Sequence, residues 1–167
     1  MVFKSPIHHL IFSLFLIAAM LIACDSDQST EDIVDEETRQ ALGAEVSEVV
    51  VSGSESNYSF TVEVRSPDLG CNQYADWWEV ISAEGKLIYR RILAHSHVTE
   101  QPFRRAGGPI PIAADSMIIV RAHMNNLGYG TSVMRGSVES GFTKDTLSID
   151  FAQNLSKEPP LPGDCPN

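Results

Sequence analysis

Three histidines and two arginines carry the chemistry that this sequence offers most directly. His95 and His97 form an H-x-H pair. Two imidazoles one residue apart on a strand face the same side, and a third, His123, completes a set of nitrogen donors suited to Cu(II) or Zn(II), with Asp76 or Met124 available as a fourth ligand. Period-two alternation puts Tyr89, Arg91 and His95 on one side of their segment, and Arg121 with His123 on one side of another. That face would hold a carboxylate or sulfated group through Arg91, Arg121 and the histidines, with Tyr89 or an exposed Trp as an aromatic platform for a sugar. A plainer use of the same residues competes with both. The histidines would hydrogen-bond loop backbone around Ser96 and Glu100 or face solvent, and Arg91 and Arg121 would pair across strands with Asp76 and Glu79.

Catalytic patterns are thinner. Ser96 lies beside two histidines, but no G-x-S-x-G elbow presents it. Gly107-Gly108-Pro109 lacks the strand-to-helix context of a phosphate loop, and the pair Glu36-Glu37 lies in a polar stretch where nothing shifts a carboxylate pKa. The sequence therefore reads as a non-catalytic binding or interaction module that needs no cofactor. The alternative is a periplasmic Cu- or Zn-binding protein using His95, His97 and His123, and a hydrolase of unknown substrate comes third.

The elements that must position these residues are strands. Apolar and polar residues alternate over Glu45 to Ser52, Tyr58 to Arg65, Tyr74 to Ser82, Lys86 to His95, Met117 to Met124, Thr131 to Glu139 and Thr146 to Ala152, and Gly, Pro, Asn and Asp punctuate the gaps. Arg105-Ala106-Gly107-Gly108-Pro109 is rich in turn formers and marks a change of sheet. Seven or eight short strands without helical periodicity predict an all-β, immunoglobulin- or fibronectin III-like sandwich. A barrel or jelly roll would give a similar pattern. The adjacent Trp77 and Trp78 must point to opposite faces. One belongs to the core, and the other has to be covered by a loop, a partner or a ligand.

Charged residues are 20% of the 167 and hydrophobic ones 43%, a globular balance. The net charge of -10 is unevenly placed. Residues 24–45 hold eight acids against Arg39, while residues 46–167 hold fourteen acids and ten bases, so most of the excess lies ahead of the β-rich part. Basic clusters are limited to Arg90-Arg91 and Arg104-Arg105, which argues against a nucleic-acid partner.

The N-terminus has Lys4 and then an apolar run from Leu10 to Ile22, too short for a comfortable permanent span and ordered like a signal peptide. It ends in Leu21-Ile22-Ala23-Cys24. This resembles the lipobox of bacterial lipoproteins. The resemblance implies cleavage before Cys24, thioether lipidation of its sulfur, a signal peptide over 1–23 and attachment to a membrane of the cell envelope. It also implies, by the rule of enteric bacteria, that Asp25 favours inner-membrane retention. Residues 24–45 then read as an acidic flexible tether and 46–167 as the sandwich with a Pro-rich tail. Partners would be the membrane, through the lipid, and an envelope protein, glycan or small ligand.

Lipid on Cys24 leaves Cys71 and Cys165 as a pair. An exported compartment permits their disulfide, which would pin Pro159-Pro160-Leu161-Pro162 against the loop after the second strand. Two free thiols, available to a metal, are the alternative.

Overall fold

A computed structural model of the chain describes residues 43–166. They form nine strands: β1 (Glu45–Ser54), β2 (Asn57–Arg65), β3 (Ala75–Ser82), β4 (Leu87–Ile92), β5 (Phe103–Ile110), β6 (Ile118–Met124), the two-residue β7 (Gly128–Tyr129), β8 (Ser132–Ser137) and β9 (Gly141–Thr146). One sheet has the order β1-β2-β5 and the other β4-β3-β6-β8-β9, with β7 against β6. All the pairings are antiparallel. The two sheets make a β-sandwich, and their orders correspond to strands A-B-E facing C′-C-F-G in a fibronectin III-like arrangement, extended by β9.

The core follows from strand alternation. In β2, Tyr58, Phe60, Val62 and Val64 are buried and the residues between them are not. They meet Trp78 and Val80 of β3 and Ile118, Val120, Ala122 and Met124 of β6. Trp78 is fully enclosed and is the tryptophan of the sandwich core. Trp77 points the other way and is also buried. Its cover is supplied by the chain itself: Phe151, Ala152 and Leu155 pack with Trp77, Ile81, Ile119, Tyr129 and Val133 on the outer face of the larger sheet. A 3-10 helix, Gln153–Lys157, lies within this covering segment. Hence β3 and β6 are buried on both faces, unlike a strand with one wet side.

Three expectations need correction. Thr146 to Ala152 is not a strand: pairing stops at Thr146 in β9, which starts at Gly141. Leu147 and Phe151 lie four residues apart and pack on the outer face, so their apolarity serves coverage rather than pairing. The segment Arg105 to Pro109 is not a turn but part of β5, and the chain changes sheets before it, between β4 and β5. Its glycines are a packing requirement: a Cβ on Gly107 would lie 2.9 Å from the Trp78 ring and 2.7 Å from Tyr89 Oη. Finally, β4 ends at Ile92, so His95 and His97 are on a loop and not on a strand. The sandwich itself takes in Ala44 and Glu45, since Ala44 is buried in the core and Glu45 opens β1.

Cys71 and Cys165 are disulfide-bonded, with Cα atoms 5.6 Å apart. The bond fastens the C-terminal tail to the loop between β2 and β3, as expected. Cys24, the segment expected to be a signal peptide and nearly all of the expected tether lie outside the described residues.

Candidate functional site

Two groups of charged residues stand out, and they have opposite character. The first is on the outer face of the larger sheet. Glu79 of β3 lies between Arg90 of β4 and Arg121 of β6, its cross-strand partners. Arg90 Nε and Nη2 donate to Glu79 Oε2 at 2.8 and 2.6 Å, and Arg121 Nε donates to Oε1 at 2.9 Å. All three side chains are shielded from solvent. The remaining guanidinium donors go to main-chain carbonyls of the covering segment. Arg90 reaches Leu155 O (2.7 Å), Glu158 O (2.5 Å) and Pro160 O (3.0 Å), and Arg121 reaches Phe151 O (2.6 Å) and Ala152 O (3.1 Å). Arg90 also lies over the Trp77 ring, and Arg121 over Tyr129. The donors are thus divided between Glu79 and the C-terminal segment, which they hold to the sheet.

His123 belongs to the same face. Its Nδ1 is 2.7 Å from Asp76 Oδ1, and its ring stacks on Trp77 with centroids 3.7 Å apart and 7° between planes. Burial pushes the Asp76 carboxyl above its ordinary pKa, while the bond to His123 pulls it back. Burial likewise raises the Tyr129 phenol, with the Glu79 charge adding to the effect.

The second group is at the end of the sandwich where β4 leaves its sheet. Asp68, in the loop before β3, ties two loops together. Its Oδ1 accepts from Ser66 Oγ (2.6 Å) and Ala75 N (3.0 Å), and its Oδ2 accepts from His97 N (2.7 Å) and Ser96 Oγ (3.4 Å). Ser96 Oγ in turn accepts from Gly70 N. The tie fixes His97 against Phe103, ring on ring at 3.9 Å and 12°, with the centroid of the His95 ring 4.6 Å from that of His97. His97 is 3% exposed, yet neither of its ring nitrogens has a hydrogen-bond partner; Asp68 Oδ2 is 3.9 Å from Nδ1. Burial, then Arg105 and His95, hold its pKa below the usual histidine value against the pull of Asp68 and Glu100.

A cavity of about 100 Å³ opens beside this ring, lined by Arg91, Leu93, His95, His97 and Arg105 among others. Arg91 is exposed, anchored by donation from Nε to Ala106 O and from Nη1 to Ile92 O, both 3.0 Å. Arg105 donates from Nη2 to Glu100 Oε2 at 2.7 Å.

The residues singled out in the sequence are thus regrouped. Arg91, His95 and His97 come together, joined by Arg105. His123 does not join them: it pairs with Asp76 on the outer face, and no group of three or more His, Cys, Asp or Glu side chains among the described residues is arranged to hold a metal ion. Arg121 is consumed by Glu79, the cross-strand pairing weighed above as the plainer use of this arginine. Tyr89 packs beside Trp78, with its hydroxyl at Gly107. Ser96 bonds to Asp68 and Gly70, and no imidazole nitrogen takes its proton. Arg105 was missed because Gly107-Gly108-Pro109 masked its strand; the alternation of Phe103, Arg105 and Gly107 is the signal that could have revealed it.

Fold and site define a fibronectin III-like β-sandwich with a small basic cleft at one end. No family model matches the chain, and no solved structure matches it significantly. It is similar to a protein of Halomicrobium mukohataei named "Putative lipoprotein", 35% identical over 109 residues, which are 64% of this chain and 50% of the relative. The chain's match spans about half the length of that curated relative.

Proposed function

We propose that this protein is a lipid-anchored lipoprotein of the cell envelope whose sandwich works by binding rather than by catalysis. The anchor rests on Leu21-Ile22-Ala23-Cys24, on the name of the relative, and on a disulfide suited to an oxidising compartment. The single observation that carries the binding role is the meeting of Arg91, His95, His97 and Arg105 at one cleft, while the ionic network of the outer face is spent on structure. Among the described residues near the cleft, Ser96 Oγ bonds to Asp68 and Gly70 rather than to a ring nitrogen, which supports binding over nucleophilic chemistry.

The anchor is tested by expressing the full chain in bacteria fed labelled palmitate. The wild type takes label and sediments with membranes, and Cys24→Ser does neither; undiminished labelling of Cys24→Ser overturns the anchor. The non-catalytic role is tested with a fluorophosphonate serine probe. No reaction is expected, and labelling that Ser96→Ala abolishes would establish a hydrolase instead.

A further inference from the structure

We infer that the cleft beside β4 is a binding site for a small carboxylate, held by Arg91 and Arg105 and completed by a hydrogen bond from His97. The inference deepens the binding role proposed above and rests on it. Three observations carry it. His97 is buried with both ring nitrogens unpartnered, so a ligand oxygen that reached one of them would supply a hydrogen bond the fold leaves unmade. The cavity it lines holds about 100 Å³, room for roughly three waters at about 30 Å³ each, or for one carboxylate group. And Arg105, which lines the cavity, already holds a carboxylate of the chain: Glu100 accepts from its Nη2 at 2.7 Å.

That last contact identifies the ligand chemistry. Glu100 is mostly exposed and sits on a loop, so its carboxylate is an internal stand-in that an incoming carboxylate displaces. Arg91 is anchored through Nε and Nη1, which leaves Nη2 free to donate. The groups facing His97 are Arg91 from β4, His95 and Glu100 from its own loop, Arg105 from β5 and Asp68 from the loop before β3. Asp68 is the opposing charge, and it is spread over four donors: Ser66 Oγ, Ala75 N, His97 N and Ser96 Oγ. A carboxylate against the ring favours the imidazolium, so binding takes up a proton and affinity rises as pH falls.

The test is an imidazole 1H–15N NMR titration of the full, disulfide-bonded chain in detergent with acetate, at ionic strength held constant with chloride. Saturable movement of the His97 nitrogens toward imidazolium is expected, stronger at pH 6 than at pH 8. Arg91→Ala, an exposed change that spares the fold, should weaken acetate about tenfold, the scale of one charge-assisted hydrogen bond. Glu100→Gln should tighten it by freeing Arg105. His97 signals unmoved by acetate, or moved equally in Arg91→Ala, overturn the site, and a response to inorganic phosphate without one to acetate overturns the carboxylate assignment. A silent titration with normal palmitate labelling refutes the site alone, whereas loss of labelling refutes the anchor and leaves the titration standing.

Discussion

Arg90 and Arg91 are neighbours in β4, and strand alternation gives them opposite fates. Arg90 turns to the outer face, where Glu79 and three carbonyls of the C-terminal segment take its donors out of water. Arg91 turns the other way, stays exposed and borders the cleft. Burial inside a fully bonded network makes a charge structural, because moving it would strand its partners. An exposed charge with a donor to spare, next to an unsatisfied imidazole, keeps its interaction energy for something else.

The sharpest way to break this contrast is to remove Glu79. Glu79→Ala leaves two buried guanidiniums without a counter-charge and should cost about 3–5 kcal/mol in denaturant unfolding. An effect below about 1 kcal/mol would mean that the network is not what holds the covering segment. Loss of the Cys71–Cys165 bridge, through Cys165→Ser with Cys71→Ser, comes next. It should lower stability by about 2–4 kcal/mol, since the bond closes a 94-residue separation. Release of that tie should also raise the accessibility of Trp77 more than that of Trp78, read by fluorescence quenching in single-Trp variants.

The cleft predicts a smaller effect with a definite sign. His97 is held neutral in the fold by a lowered pKa, so the unfolded chain binds more protons below its ordinary value of 6.5. The stability it contributes is present above pH 6.5 and is lost as pH falls through the folded value. His97→Phe should flatten that part of the profile, and an unchanged slope would show that His97 does not titrate across unfolding. Smallest of all, Arg91→Ala should change stability by less than about 0.5 kcal/mol, as suits an exposed side chain. A larger loss would move Arg91 into the structural class with Arg90.

Much of the sandwich was legible in the order of residues. The buried alternation of β2, the opposed faces of Trp77 and Trp78, and the pairing of Cys71 with Cys165 all depend on local geometry or simple elimination. The candidate site was legible only in part. Arg91, His95 and His97 are close in the chain, so they stay close in space even though the strand meant to align them ends at Ile92. Arg105 comes from the opposite sheet, and its strand resembles a turn because Trp78 and Tyr89 leave no room for a side chain at Gly107.

The sequence by itself determined the local matters: which side of a strand each residue faces, where the acidity lies, and that Leu21-Ile22-Ala23-Cys24, which resembles a lipobox, precedes the sandwich. Only the tertiary structure decided what stands opposite. Alternation can send Arg121 and His123 to one face, but whether that face meets water, a ligand or the chain's own tail depends on contacts tens of residues away. Here Phe151 to Pro160 closes over it. That coverage turned two expected ligand-binding residues into structure and left the open chemistry to a loop.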